Sequence, residues 1–208
     1  MNVIEAKAML LYVSEQMVAS EPTLTELDLK IGDGDHGLGM QRGFEAVRTL
    51  LKTDFQPKDI GDLFLTVGTK MMSSMGGASG AIFGTLFRAG GKALLGQSEF
   101  NAQTLSQFLV AGSAGVFSRG GAKPGDKTMM DALVAAEKES ERAKTENLVT
   151  ALSRVAIAAA NGAENTRNQV AVFGRAKSLG ERSIGYIDPG AVSMSFILEF
   201  MFDYVNKA

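Results

Sequence analysis

The chain has 208 residues, 45% of them hydrophobic and 21% charged, with a formal net charge of −2. This is material for a substantial core in one domain, read as residues 1–208, and the balanced charge without a basic block argues against a nucleic-acid partner. Cysteine is absent, so disulfides and thiolate metal sites are excluded, and no stretch approaches the roughly 18 continuous apolar residues of a membrane span.

The start, Met1 to Lys7, lacks the pattern of a secretory leader, so a cytoplasmic protein without a membrane partner is expected. Residues 3–18 place Val3, Ile4, Ala8, Leu11, Tyr12, Met17 and Val18 at near-helical spacing, predicting an amphipathic helix. Pro22 marks an exit or a new start. Leu27-Asp28-Leu29-Lys30-Ile31 alternates apolar and polar residues and is the best strand signal, short and isolated. Helices are predicted next over 40–52, with Phe44, Val47, Leu50 and Leu51 as the apolar stripe, and over 59–75, with Ile60, Leu63, Phe64, Val67 and Met71. Further helices are predicted over 81–95 and 104–117. Asp126 is read as the cap of a sixth helix through Met129, Leu133 and Ala136. The alanine-rich stretch 148–166 and the Phe- and Met-rich stretch 191–207 complete a set of about eight helices, an all-α pattern.

Glycine is over-represented, 24 residues against a usual share of roughly 7%. The clusters Gly32, Gly34, Gly37 and Gly39; Gly76, Gly77 and Gly80; Gly120, Gly121 and Gly125; and Gly180, Gly185 and Gly190 are read as loops between helices. Helix capping accounts for part of them. Clusters that also carry Ser, Asp, Arg and Lys suit loops that cradle phosphate.

The densest chemistry runs from Asp28 through Asp33 and Asp35 to His36. Three hard oxygen ligands without a His/Cys cluster fit Mg²⁺, which accepts phosphate oxygens and water as well. The competing reading is a solvated acidic turn. Gly37 and Phe44 stand where an EF-hand needs Asp or Asn and Glu, so Asp33-Gly34-Asp35 does not open one. Gly32 to Gly37 matches G-x-G-x-x-G literally but would set pyrophosphate beside two carboxylates, with no βαβ unit following. No GK[ST] occurs, so a P-loop is absent. His36, the single histidine, is open to metal ligation, nucleotide contact or loop ordering. Ser73 to Gly80 leads into a helix and suits a phosphate cradle. Arg119 to Thr128, Arg175 and Arg182 bring cations that can grip phosphate. Met129 and Met130 could flank a base.

Five segments, IGDGDHG at 31–37, MQRGF at 40–44, SSMGGASG at 73–80, SRGGAKPGDKTM at 118–129 and LGERSIGYIDPGA at 179–191, are spread over most of the chain. In this order and spacing they resemble the L subunit of dihydroxyacetone kinase. The resemblance implies a closed barrel of eight antiparallel amphipathic helices with Gly-rich loops forming a nucleotide site at one end. It implies two Mg²⁺ ions on Asp28, Asp33 and Asp35, joined to the phosphates of ADP or ATP. His36, Gly37, Leu38 and Gly39 would follow the phosphates, with Gly39 standing where many relatives carry Asn. Ala78 and Ser79 would cover the phosphates, Gly120 and Met129 would lie near base and ribose, Arg175 on the nucleotide side, and Asp188 with Gly190 in a closing loop. No side chain of this chain is expected to act as a covalent or acid–base catalyst.

The resemblance further implies partners: a K subunit that holds dihydroxyacetone on its own histidine, and an M phosphocarrier of a phosphotransferase system that rephosphorylates the ADP. A homodimer or hetero-oligomer is expected. Alternatives are a subunit of an ATP-dependent kinase for a related keto-sugar such as erythrulose, and a regulator that binds a transcription factor.

Overall fold

The computed structural model describes residues 1–207, and among them the only β contact is an isolated bridge between Asn2 and Glu99. The helices are α1 (Val3–Ala19), α2 (Glu21–Leu29), α3 (His36–Leu51), α4 (Ile60–Ser74), α5 (Gly77–Ala93), α6 (Ala102–Gly120), α7 (Met129–Ala143), α8 (Leu148–Asn165) and α9 (Pro189–Lys207). Two 3₁₀ segments, Thr166–Asn168 and Arg175–Ser183, lie between α8 and α9. The protein is all-α, as its periodicity predicts.

Local chemistry sets most boundaries. Asn2 and Glu5 form a reciprocal capping box at α1, and Asn101 with Thr104 forms another at α6. Asp59 caps α4 by accepting from the Asp62 N–H at 2.7 Å.

Three sequence expectations are corrected. Leu27 to Ile31 is not a strand: Pro22 sits in the first turn of α2, where its missing N–H costs nothing, Leu27 to Leu29 end that helix, and Lys30 and Ile31 turn out of it. Asp126 does not cap α7; Thr128 does, its hydroxyl accepting from the Met130 N–H while Asp131 accepts from the Thr128 N–H at 2.9 Å. Asp126 instead accepts from the Lys123 N–H at 2.9 Å, closing the preceding turn. Third, several glycines assigned to loops are helical. Gly37 and Gly39 lie in α3, Gly77 and Gly80 in α5, Gly120 ends α6 and Gly190 lies in α9. Both α3 and α5 begin about a turn earlier than apolar periodicity alone suggests, because their first turns are small and polar.

Packing runs in a cycle: α1 on α3, α3 on α4, and so on through α9, which returns to α1. Helix α2 lies outside this cycle, against α3 and α9. Phe64, Phe87, Phe100 and Phe108 are fully buried and meet at ring-centroid distances of 4.8–6.0 Å between α4, α5 and α6. The α4–α5 contact is backbone against backbone. A Cβ on Gly61 would lie 2.3 Å from Leu95 N, one on Gly68 2.6 Å from Arg88 N, and one on Gly91 2.4 Å from Leu65 N.

Candidate functional site

Asp28 sits in the last turn of α2 with 8% of its surface exposed, and one of its oxygens accepts from the His36 N–H at 3.2 Å. The chain then turns back sharply. The Gly32 N–H donates to the Asp28 carbonyl at 2.6 Å, and a Cβ on Gly32 would lie 2.1 Å from Asp28 Oδ1. Only glycine leaves that carboxylate its position. Gly34, at φ +78°, completes the reversal between Asp33 and Asp35. One oxygen from each of Asp28, Asp33 and Asp35 then lies within 4.8 Å of the others. Three carboxylates this close repel one another unless a cation stands between them, and an all-oxygen set suits a hard divalent ion. The residues therefore fit Mg²⁺. Arg175 Nε reaches Asp33 Oδ2 at 2.8 Å, so one cation already faces the cluster.

The cluster opens onto a cavity of about 630 Å³. The N-terminal residues of four helices line it: Asp35, His36 and Gly39 of α3; Gly76 to Ser79 of α5; Thr128 to Met130 of α7; and Asp188 to Gly190 of α9. At the start of a helix the first N–H groups lack intrahelical partners, and the helix dipole favours negative charge there. Gly76, at φ +72°, gives α5 no side-chain cap, which leaves the N–H groups of its first turn available to an anion. Ile82, Phe83, Val116, Ala122, Met129 and Met130 supply an apolar wall.

His36 is nearly buried, and both ring nitrogens are engaged. Nε2 lies 2.8 Å from Ser193 Oγ, whose own hydrogen goes to the Pro189 carbonyl at 3.0 Å. Nε2 must therefore carry the proton, and Nδ1 accepts from Ser79 Oγ at 3.2 Å. Burial lowers the imidazole pKa against the pull of Asp28 and Asp35, in keeping with this neutral form. These contacts order the loop: His36 ties α3 to α5 and α9 while also lining the cavity.

Asp188 stands at the start of α9, accepts from the Ala191 N–H at 2.7 Å, and has its pKa pushed up to about 7 by burial, with Asp131 and Asp28 adding repulsion. Lys127 is 1% exposed and donates to the Thr166 carbonyl at 2.6 Å and the Tyr186 carbonyl at 2.5 Å. Burial lowers its pKa, and the nearby Asp188 opposes that shift.

Of the residues singled out from sequence, Asp28, Asp33, Asp35, His36, Gly39, Ala78, Ser79, Gly120, Met129, Arg175, Asp188 and Gly190 all line this one cavity. Gly37 and Leu38 do not. Gly37 packs on α2, where a Cβ would lie 2.2 Å from Thr25 Oγ1, and Leu38 is 46% exposed on the outer face. Sequence reasoning missed Arg42, which lines the cavity and donates to the Met75 carbonyl at 3.1 Å, and read Lys127 only as one of the cations of the 119–128 segment. Both lie inside segments already quoted for the resemblance, but nothing in their spacing marked them. It also missed Asp131, which accepts from the Gly125 N–H at 2.6 Å and from Gln169 at 2.9 Å and so braces the loop before α7.

Fold and site together define an all-α protein whose acidic cluster faces converging helix N-termini across one cavity. Residues 30–203 match the family described as the DAK2 domain, and the chain belongs to that family. It is 42% identical over 180 residues to the PEP-dependent dihydroxyacetone kinase, ADP-binding subunit DhaL, of Escherichia coli (strain K12), covering 86% of this chain and 85% of that relative. It is 35% identical over 195 residues to the PTS-dependent dihydroxyacetone kinase, ADP-binding subunit DhaL, of Lactococcus lactis subsp. lactis (strain IL1403), with 92% of each covered. Among solved structures, it matches the dihydroxyacetone kinase from C. freundii in complex with AMP-PNP and Mg²⁺ with a TM-score of 0.76 and 26% identity over 95% of this chain. The chain spans about a third of that kinase, 33% of its length.

Proposed function

We propose that this chain is the nucleotide-binding subunit of a dihydroxyacetone kinase. It would hold ADP or ATP with two Mg²⁺ ions and pass a phosphoryl group to dihydroxyacetone carried on a separate K subunit, with an M phosphocarrier restoring the nucleotide. The observation that carries this reading is the convergence of Asp28, Asp33 and Asp35 at one side of a cavity whose other walls are helix N-termini. Its volume, about 630 Å³, is of the size that takes a nucleotide-like ligand.

The residues divide the work. The N–H groups of Gly77, Ala78 and Ser79 fix phosphate oxygens, and the apolar wall from Ile82 to Met130 takes the base and ribose. Asp28, Asp33 and Asp35 hold the metal. Mg²⁺, when bound, neutralises the charge that spreads over the phosphoryl oxygens during transfer. Arg175, now on Asp33, is within reach of the same region and supplies a guanidinium to the nucleotide side. His36 keeps the first turns of α3, α5 and α9 in register. Positioning and charge complementarity make up the contribution of the chain.

The cyclic helix packing supports the closed eight-helix barrel, with α2 as an addition outside it. The whole chain acts as one unit of this assembly, in the cytoplasm, where both the nucleotide and phosphocarrier proteins occur. No helix among the described residues is long and apolar enough to cross a membrane.

The test is to denature the protein, purified with Mg²⁺ throughout, and to identify and count the released nucleotide. Stoichiometric ADP supports a subunit that keeps its nucleotide as a coenzyme. An empty protein that binds ATP only on addition supports exchange with free ATP instead. Absence of nucleotide under both conditions overturns the reading.

A further inference from the structure

Lys127 is the only non-glycine residue with positive φ among the described residues, at +58°. A left-handed conformation is disfavoured for an L-residue and persists where the surroundings over-determine it. Here the surroundings are two backbone carbonyls that converge on the ammonium from different segments, Thr166 at the end of α8 and Tyr186 in the loop before α9. The same segments are stitched together around this point. The Asp188 N–H donates to Thr166 Oγ1 at 2.9 Å, the Gly185 N–H donates to the Arg167 carbonyl at 2.8 Å, and the Val172 N–H reaches the Asp126 carbonyl at 3.4 Å. Lys127 thus stands one residue before the cap of α7 and grips the loop that starts α9. The two helix starts nearly touch: a Cβ on Gly190 would lie 3.7 Å from Met129 Cβ.

We infer that Lys127 is a positioning residue of the nucleotide site, fixing the spacing between the N-termini of α7 and α9 so that Met129, Asp188 and Gly190 face one ligand together. This rests on the functional reading above. Backbone carbonyls carry no side-chain alternative, so the ammonium is the sole side-chain link between the 121–128 loop and the 184–188 loop in this network. A lysine is suited to it because three protons on one tetrahedral nitrogen can serve carbonyls arriving from different directions. The left-handed backbone at 127 is what turns the side chain inward while Thr128, next in the chain, remains extended as the α7 cap.

The experiment compares the wild-type protein with Lys127→Met and Lys127→Gln. It reads ADP affinity by equilibrium dialysis with Mg²⁺ present, and amide hydrogen exchange over residues 184–191 and over α4. Met keeps the length and removes the ammonium; Gln keeps two donors without the charge. A positioning role predicts a helical protein whose ADP affinity falls roughly 10- to 100-fold, the usual effect of losing a group that orients a ligand's contacts. Exchange should quicken over 184–191 and stay unchanged in α4, with Gln intermediate in both readouts. Affinity within twofold of wild type in folded Lys127→Met overturns the proposal, as does uniform loosening that reaches α4. Failure of both variants to fold assigns Lys127 to stability alone and also overturns it. Wild-type protein that takes up no ADP brings down the functional reading itself, whereas an effect absent only in the variants brings down this inference alone.

Discussion

Gly32 shows how a single hydrogen atom can decide a metal site. Because a Cβ there would lie 2.1 Å from Asp28 Oδ1, Gly32→Ala must displace the carboxylate from its present place beside Asp33 and Asp35. The expected result is a fall in Mg²⁺ affinity of about tenfold or more, with circular dichroism unchanged. Isothermal titration of the apo protein with MgCl₂ checks this, and wild-type affinity in the variant contradicts the site. Asp35→Asn, which keeps the shape and removes the charge, should lose retained nucleotide while leaving the helices intact; unaltered nucleotide content would remove Asp35 from the cluster. Asp188 gives a pH signature. Its pKa is about 7 in the folded protein against an ordinary 3.8, so between those values the folded state binds the extra proton. Stability from this group is therefore greatest at low pH and declines as pH rises through that window. In Asp188→Asn without metal, the difference in melting temperature from wild type should shift in the variant's favour between pH 5 and pH 8. A difference that is flat across that range contradicts the buried, protonated Asp188. The aspartates 28, 33 and 35 were legible in the sequence because charge and glycine mark them. Lys127 and Arg42 were not, since lysine and arginine are ordinary surface residues until a fold encloses them.

At the scale of elements, glycine has two uses that sequence does not separate. In the first turn of α5 it clears the way for an anion. Along α4 and α5, Gly61, Gly68, Gly84 and Gly91 let two helices meet at backbone distance, and Gly61 and Gly68, like Gly84 and Gly91, are seven residues apart on one face. A Cβ at 91 would lie 2.4 Å from Leu65 N and 2.9 Å from Phe64 C, neither of which can swing aside. Gly91→Ala should therefore cost roughly 1–3 kcal/mol, the usual penalty for overpacking, read as a lower urea midpoint at unchanged slope. A midpoint equal to wild type would mean that α4 and α5 are not in backbone contact. The stretch Leu27 to Ile31 teaches the complementary lesson. Alternation over five residues is compatible with a strand, but Pro22 at a helix start, with no partner strand among the described residues, gives Leu27 to Leu29 to α2. The start of α4 lay within a residue of its expected place, because Asp59 caps it just before a clear apolar stripe. The cap was misread at α7, where Thr128 and Asp126 both qualify and tertiary contacts choose between them.

On the scale of the whole molecule, the site belongs to no single helix. Its cavity is assembled from the starts of α3, α5, α7 and α9, which meet because packing runs in a cycle and alternate helices begin at the same end. Even the chain start is tied in, with the Met1 amino group donating to the Phe100 carbonyl at 2.8 Å. A ligand bound by parts so far apart in sequence binds only the folded state. ADP with Mg²⁺ should therefore raise the melting temperature in step with its concentration, worth about 2.7 kcal/mol at a hundredfold excess over Kd. The shift should vanish with EDTA and in Asp35→Asn; a shift of equal size in EDTA would show binding that does not use the carboxylates. The family assignment suits this architecture, because phosphoryl transfer asks for groups held in place more than for reactive side chains.

The sequence by itself determined the all-α class, the approximate span of most helices and the acidic segment whose three carboxylates gather at the cavity. Those features rest on local periodicity, capping chemistry and charge, which a short window contains. Only the tertiary structure decided that the acidic segment follows α2, packed against α3 and α9 outside the helix cycle, that His36 spends both ring nitrogens on Ser79 and Ser193, and that Lys127 is buried at the junction of three segments. Each of these depends on contacts between residues far apart in the chain, up to 157 positions for His36 and Ser193, and such contacts exist only once the helices have closed their cycle.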